Sequence, residues 1–148
     1  MKIRTLFFLF LLSLFASAGK DTLCWSLTAH YGFIMPHHES MRYLITSHVP
    51  GLEFSLYKRA TGKKEWERSF NYPEKGISIL YMDFMNPEEA GKGFALHPYV
   101  NHPLYERKDF RLNLKTGIGI GFVTKHFDRI ENHKNNTMGS GLNGFVQL

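Results

Sequence analysis

The sequence is short of cysteine, of charged residues and of long hydrophobic runs. A single cysteine, Cys24, among 148 residues excludes an internal disulfide framework and a four-cysteine zinc module. Charged residues make up only 21% of the chain and aromatic residues 15%, which excludes a disordered, charge-rich chain. No run reaches the roughly 20 apolar residues that a membrane-spanning helix needs. The length allows one domain.

The start of the chain has the pattern of a secretory signal peptide. Lys2 and Arg4 precede an almost uninterrupted run of leucine and phenylalanine at residues 6–15, and Ala16-Ser17-Ala18 is a small-x-small cleavage site. We predict a signal peptide at residues 1–18 and one mature domain at residues 19–148. An uncleaved membrane anchor is the alternative.

The positive charge of the chain belongs partly to this leader. The 18 Lys and Arg residues against 13 Asp and Glu give +5, and without Lys2 and Arg4 the balance is 16 against 13, or +3. This small excess does not favour nucleic acid as a partner. Five basic residues cluster around one predicted hairpin, which is either a solvated loop or a contact for the phosphates of an anionic lipid. They are Lys58, Arg59, Lys63, Lys64 and Arg68.

The mature sequence alternates between apolar and polar residues, which predicts β-strands. Two long stretches, 24–35 and 109–124, alternate most clearly, and the other predicted strands are 52–57, 66–72, 77–84, 94–100 and 142–148. In the longest stretch, the residues that would point to one face are Phe110, Leu112, Leu114, Thr116, Ile118, Ile120 and Phe122. The residues that would point to the other face are Arg111, Asn113, Lys115, Gly117, Gly119 and Gly121. The two faces of this strand therefore differ sharply in polarity.

Strand length indicates the kind of sheet. Strands of soluble domains usually have about five or six residues, whereas a tilted strand that crosses a bilayer needs about 9–11. We therefore predict an all-β fold, an antiparallel up-and-down transmembrane β-barrel, complete or incomplete, whose polar face lines the interior. The glycines would make room there for bulky neighbours. The alternative is a soluble β-sandwich.

Four connections carry conventional turn residues. We predict a hairpin loop at 60–64 with Gly62 at positive φ and a turn at 71–76 fixed by Pro73 and Gly76. Residues 86–91 predict one short helical turn with Asn86 as its N-cap. Residues 128–138 form a polar loop.

Three patterns suggest chemistry. The run from Gly117 to Gly121 is glycine-rich, but it lies inside a predicted strand with no helix after it, which disfavours a phosphate-binding loop. His30, His37, His38 and His48 suggest a metal site or, more simply, a loop at the end of a strand. The residues His38-Glu39-Ser40 place a candidate base beside a candidate nucleophile. On a strand these two side chains would share a face.

Several segments together resemble a family of exported barrels, the acyloxyacyl hydrolases grouped with the lipid A 3-O-deacylases. The first segments are residues 30–37, 51–53, Trp66, 72–73 and 76–78. The strongest segment is 117–128, with Gly117, Gly119 and Gly121, followed by Asn132, Asn136, Ser140 and Asn143. The resemblance covers most of the mature chain, and it depends on the order and spacing of these pieces.

The resemblance implies a membrane-embedded serine esterase that removes a 3-linked acyl chain from lipid A. The family's histidine and serine lie in an H-x-S-N-type motif beyond the last of these segments, and this chain contains no such motif. The only H-x-S is at His38 and Ser40, near the other end and followed by Met41, so we transfer no catalytic role to these weak candidates.

The sequence therefore predicts an outer-membrane acyl ester hydrolase of the lipid A deacylase type. We expect it to be truncated before its catalytic motif, because Leu148 falls within an alternating strand, and inactive by itself. Lipopolysaccharide or another membrane lipid is the expected partner, with no cofactor, metal or nucleic acid. The alternative is a non-enzymatic exported β-barrel or β-sandwich, in the outer membrane or the periplasm, that binds lipid or anionic surface partners.

Overall fold

The computed structural model describes residues 23–36 and 38–148. They form one antiparallel sheet in which each strand pairs with the next along the chain, from β1 at one edge to β6 at the other. The strands are β1 (Leu23–Gly32), β2 (Val49–Arg59), β3 (Glu74–Asn86), β4 (Gly91–Arg107), β5 (Phe110–Val123) and β6 (Leu142–Gln147). The prediction of an all-β, up-and-down antiparallel fold is confirmed. The predicted signal peptide lies outside the described residues.

Helix is confined to two short pieces between strands. A 3₁₀ helix (Glu39–Leu44) follows β1, and a five-residue α-helix, α1 (Glu65–Ser69), follows β2. In the described residues no helix has the length and hydropathy to cross a membrane.

The two faces of the sheet follow the predicted alternation. Along β5, Phe110, Ile118 and Phe122 are exposed on one face, whereas Lys115 and Gly117 on the other face are half-buried or buried. The other long strands show the same division, because successive side chains of a strand point to opposite faces. The exposed apolar residues include Trp25, Leu27, Tyr31, Leu52, Phe54, Ile77, Ile79, Phe94 and Leu96.

The sheet is strongly curled around its polar face. Gln147 on β6 and His30 on β1 belong to opposite edges, yet the side chains of both reach the same carboxylate oxygen of Glu53. A flat sheet would hold the first and sixth strands more than 20 Å apart, since neighbouring strands are spaced by about 4.8 Å. The polar face is therefore concave.

Apolar side chains fill one end of this concave interior. Val49, Phe84 and Val123 are buried together, and Ile34, Met82, Ala90 and Met138 pack against them. These seven residues form the apolar plug. It lies at the end of the sheet where β1 is joined to β2, β3 to β4 and β5 to β6.

One predicted strand is wrong. Residues 66–72 carry an alternating pattern, but they form α1 and a turn in which Asn71 and Tyr72 both have φ near 55°. Trp66 and Phe70 are four residues apart, so the same apolar spacing also suits one helical turn. Tertiary contacts favour the helix, because it brings Glu67 to Lys75.

The predicted turn features are confirmed at Gly62 and at 86–91, but the hairpin loop at 60–64 is wrong, because residues 65–69 form α1 and the connection from β2 to β3 runs from residue 60 to 73. Gly62 has φ 75°, and the connection at 86–91 is a single turn in which the Ala90 N–H donates to the Asn86 carbonyl. Asn86 Oδ1 also accepts from the Glu89 N–H, as a cap does. Gly76 lies inside β3 instead of a turn. A Cβ at Gly76 would come 2.8 Å from the Cβ of Tyr57, so this glycine is explained by close packing.

Candidate functional site

The centre of the concave face holds a cluster of polar side chains drawn from every strand of the sheet. We call it the interior cluster. Its members are His30 on β1, Glu53 and Ser55 on β2, Ser78 on β3, His97 on β4, Lys115 on β5 and Gln147 on β6. Each of them is one of the alternate, polar residues of its strand, so all of these side chains point to the concave face.

Glu53 is the hub of the interior cluster and is only 2% exposed. One carboxylate oxygen accepts from the Lys115 ammonium and lies 3.6 Å from His97 Nε2. The other oxygen lies 3.0 Å from His30 Nε2 and 3.4 Å from Gln147 Nε2. A buried carboxylate needs such partners, because an unpaired buried charge is costly.

Two serine hydroxyls complete the interior cluster. The Oγ atoms of Ser55 and Ser78 are 2.6 Å apart, and Lys115 Nζ lies 3.4 Å and 3.3 Å from them. The same Nζ lies 4.0 Å from the centre of the Tyr99 ring, a cation–π distance. An ammonium donates hydrogen bonds and accepts none. Lys115 therefore contacts both hydroxyls as well as the carboxylate of Glu53.

The interior cluster is consequently a cross-link between strands. His97 is fully buried and joins it through Nε2, which lies 2.7 Å from Gln147 Oε1. The hydroxyls of Ser55 and Ser78 are buried and bond to each other. The sequence alone did not reveal that Glu53 and Lys115 form a pair. The sequence did contain an indication of this pair, because Glu53 is an acid and Lys115 a base, each at an inward position of an alternating strand.

The predicted H-x-S pair lies elsewhere. His38 directly precedes the 3₁₀ helix, and the Met41 N–H donates to its carbonyl at 3.1 Å. Ser40 belongs to the 3₁₀ helix. The segment is not a strand, so the condition under which the two side chains would share a face is not met there.

The histidines of the metal hypothesis separate in the structure. His30 contacts Glu53 on the concave face, whereas His48 stacks on Tyr31, with ring centres 5.1 Å apart, on the convex face. His37 lies outside the described residues. Within the part of the chain that is described, no three His, Cys, Asp or Glu side chains are placed to hold a metal ion.

The glycines of β5 make room for a neighbouring strand. A Cβ at Gly117 would lie 2.7 Å from His97 Cδ2, and one at Gly119 would lie 2.6 Å from the His97 Cα. Gly121 is less crowded, with its nearest atoms at 3.7 Å. The prediction that these glycines accommodate bulky interior neighbours is confirmed for the first two. The run lies within β5, and no helix follows it in the described residues.

The remaining residues of the family-like pattern lie in the connection from β5 to β6. Asn132 is buried and donates to the carbonyls of Glu89 and His126 at 3.0 and 2.9 Å. Asn136 is exposed. Ser140 and Asn143 bond to each other at the start of β6, where Asn143 Nδ2 donates to the Ser140 carbonyl at 2.7 Å.

Asn135 contributes most to this connection, a role that the sequence did not reveal. It is fully buried, and its Nδ2 donates to the carbonyls of Glu89 and Lys125 at 2.7 and 3.2 Å. Its Oδ1 accepts from the N–H groups of Thr137 and Met138. The Asn-x-Thr pattern of residues 135–137 could have marked such a loop, because asparagine amides often bond to nearby backbone.

The opposite end of the sheet carries ion pairs. The Arg59 side chain donates to Glu74 at 2.9 Å, and Glu67 accepts from Lys75 and from the Gly62 N–H, both at 3.1 Å. Burial raises the pKa of Glu67, but hydrogen bonds from Lys75 and from backbone lower it more, so this pKa lies below its ordinary value. Glu67 therefore stays ionised and anchors the connection after β2.

A cavity of about 160 Å³ lies at this end. Polar side chains dominate its lining, among them Arg59, Glu74, Asn101, Arg111 and Asn113. Asn101 donates to Glu74 at 2.9 Å, and Arg111 pairs with Glu106. The interior thus changes along its axis from ion pairs, through the interior cluster, to the apolar plug.

The chain matches no known protein family, no curated protein and no solved structure. The fold and the interior cluster therefore define it only as an antiparallel β-sheet protein with a polar concave face and an apolar convex face.

Proposed function

We propose that the protein is an integral β-barrel protein of the outer membrane, of the lipid A deacylase type, in which the described strands are the lipid-embedded scaffold. The observation that carries the proposal is the reversed polarity of the sheet. Inside, Glu53 is buried and its partner Lys115 is half-buried, whereas Ile118 is 71% exposed outside. Soluble domains bury their apolar face and seldom expose a large apolar surface.

The dimensions of the apolar surface support this location. On β5 the outward residues are apolar from Phe110 to Phe122 except for Thr116, a span of twelve residue steps. At about 3.3 Å per step the span is about 40 Å. A strand tilt of about 40° reduces its height to about 30 Å, close to the hydrocarbon thickness of a bilayer, which is about 30 Å.

Aromatic residues flank this surface at both ends. Trp25 is exposed near one end of β1, and Tyr31 and Phe33 are exposed at its other end. Barrels of the outer membrane carry such aromatic girdles at the two interfaces. The soluble β-sandwich needs a second sheet over the convex face, and the described strands all belong to one sheet.

A substitution on the convex face tests the membrane location. We expect Ile118→Lys to prevent stable insertion into phosphatidylcholine vesicles, because a lysine near the bilayer midplane costs about 2–4 kcal/mol. Ile130→Lys is the matched control, since Ile130 is 90% exposed but lies in the connection between β5 and β6. Flotation of the refolded chain with vesicles gives the readout. Recovery of the unaltered chain in the aqueous fraction would rule out the proposal.

The assignment to acyl ester hydrolases rests on the sequence segments, and lipopolysaccharide is the proposed partner on the same ground. The hydroxyls of Ser55 and Ser78 are committed to the interior cluster, so we expect no hydrolysis by the scaffold itself. Purified chain mixed with lipopolysaccharide should release no 3-hydroxy fatty acid above a blank. Release that disappears in a Ser55→Ala variant would show that the interior cluster is catalytic.

A further inference from the structure

The two ends of the sheet differ in charge. We call the end that contains residues 58–75 and 106–111 the basic end, and it carries nine Lys and Arg against five Asp and Glu. The opposite end, residues 33–48, 83–92 and 124–141, carries five Lys and Arg against six Asp and Glu. The excess of positive charge therefore belongs to one end and not to the whole surface.

The charges of the basic end are presented outward. Lys58, Lys63, Lys64, Arg68 and Lys108 are all exposed. Arg59, also at this end, pairs with Glu74. Lys63, Lys64 and Arg68 lie on the longer connection at this end and Lys108 on the shorter one, and Lys58 lies near the end of β2.

Aromatic side chains accompany these charges. Trp66, Phe70 and Tyr72 are exposed on the connection between β2 and β3, and Lys75 Nζ lies 4.2 Å from the centre of the Trp66 ring. Aromatic rings favour the headgroup level of a bilayer, and basic side chains there are attracted to lipid phosphates. The combination fits a charged lipid surface better than it fits bulk water.

Connection lengths indicate which leaflet this end meets. The basic end has connections of 14 and 2 residues, whereas the opposite end has connections of 16, 4 and 18 residues. Outer-membrane barrels have short turns on the periplasmic side and longer loops outside. The basic end therefore corresponds to the periplasmic side, where the leaflet consists of glycerophospholipids.

We propose that the basic end is a binding surface for the phosphates of anionic glycerophospholipids. The proposal rests on the proposed membrane location and names the lipid that this end selects. The exposed Lys and Arg side chains bind phosphate oxygens, and the aromatic residues fix the depth of the rim. Phosphatidylglycerol is the probe, and the phosphates of lipopolysaccharide are the rival that the experiment must distinguish.

Tryptophan quenching by brominated lipids tests the proposal. In a Trp66→Phe chain, Trp25 reports on lipid at the basic end, because it pairs with Leu56, two residues before Lys58. We expect brominated phosphatidylglycerol to bind near Trp25 about threefold more strongly than brominated phosphatidylcholine. The preference should vanish in about 0.5 M salt, because screening shortens the reach of surface charges.

Two matched variants locate the effect. The triple change Lys63→Gln, Lys64→Gln and Lys108→Gln should abolish the preference. The same charge removed at the opposite end, by Arg42→Gln, Lys125→Gln and Arg129→Gln, should preserve it. A second reporter, Tyr31→Trp in a chain with Trp25→Phe and Trp66→Phe, should show no preference, because Tyr31 lies near the opposite end.

The outcomes separate the two proposals. If brominated phosphatidylcholine and brominated phosphatidylglycerol quench Trp25 equally, this inference is overturned and the membrane location is unaffected. No quenching by either lipid would overturn both. A preference found only with lipopolysaccharide in the vesicles would overturn the assignment to glycerophospholipids.

Discussion

Gly119 shows, at the scale of one residue, how the interior sets the sequence of β5. A Cβ there would collide with the Leu96 carbonyl and would lie 2.6 Å from the His97 Cα, so the obstacle is backbone. We expect Gly119→Ala to destabilise the fold by about 1–3 kcal/mol, as overpacking does. The measurement is the midpoint of urea unfolding in detergent or lipid.

Gly144→Ala is the matched control for this change. Gly144 pairs with Ile120 on the neighbouring strand, and a Cβ there would meet no atom within 4 Å. Its substitution should leave the midpoint almost unchanged. Equal midpoints for the two alanine variants would contradict the packing argument.

The placement of a single residue was predictable where it follows from the alternation of side chains along a strand. The inward placement of Lys115 and Gly117 follows from alternation along β5 alone. The burial of Asn135 beside an exposed Asn136 does not, because both are asparagines in one polar loop. Their different roles depend on the Glu89 carbonyl, which lies more than forty residues earlier in the chain.

At the scale of the element, the connection from β5 to β6 is fastened to the turn between β3 and β4. Asn132 and Asn135 both donate to the Glu89 carbonyl, at 3.0 and 2.7 Å. Removal of one such side chain leaves buried backbone groups without their partner. The loop over the apolar plug is therefore held by two amide side chains instead of a hydrophobic core of its own.

Asn135→Ala should release this connection. We expect a loss of about 2 kcal/mol in local stability, because the Lys125 carbonyl and the N–H groups of Thr137 and Met138 lose their bonds to Asn135, and the Glu89 carbonyl keeps only its bond from Asn132. Hydrogen exchange at the amides of Thr137 and Met138 is the readout, and both should exchange faster. His133→Ala, at an exposed position in the same loop, is the control. Unchanged exchange in the Asn135 variant would refute the anchoring role.

Elements were predicted best where alternation was long. The stretches 24–35 and 109–124 correspond to β1 and β5, with ends that differ by up to three residues. The short pattern at 66–72 failed, because Trp66 and Phe70 suit either a strand or a helical turn. The contact between Glu67 and Lys75 favours the helix, and a local pattern does not reveal that contact.

At the scale of the whole molecule, the pairing of Glu53 with Lys115 ties β2 to β5 across the concave interior. Glu53→Gln should destabilise the fold by about 3–5 kcal/mol, because it leaves the Lys115 charge without its counter-ion. The double variant with Lys115→Met should recover much of this loss, since no unpaired charge remains. Unfolding midpoints of the single and double variants form the test. A double variant less stable than Glu53→Gln would contradict it.

The interior cluster is also the part that sequence reasoning could not assemble. Each member lies on the predicted polar face, so the polar lining was foreseeable. Which residues meet depends on the register of five strand pairs and on the curl of the sheet. His97 and Gln147, for example, are fifty residues apart and two strands apart.

The apolar plug has a consequence for transport. Val49, Phe84 and Val123 pack together in the interior at the end opposite the ion pairs, and Met138, whose N–H donates to Asn135, packs against them. A hydrated ion needs a continuous column of water, which a packed hydrocarbon constriction interrupts. In the barrel that we propose, these apolar side chains would narrow the water-filled path at this end, so we expect a low ion conductance across a planar bilayer that contains the protein.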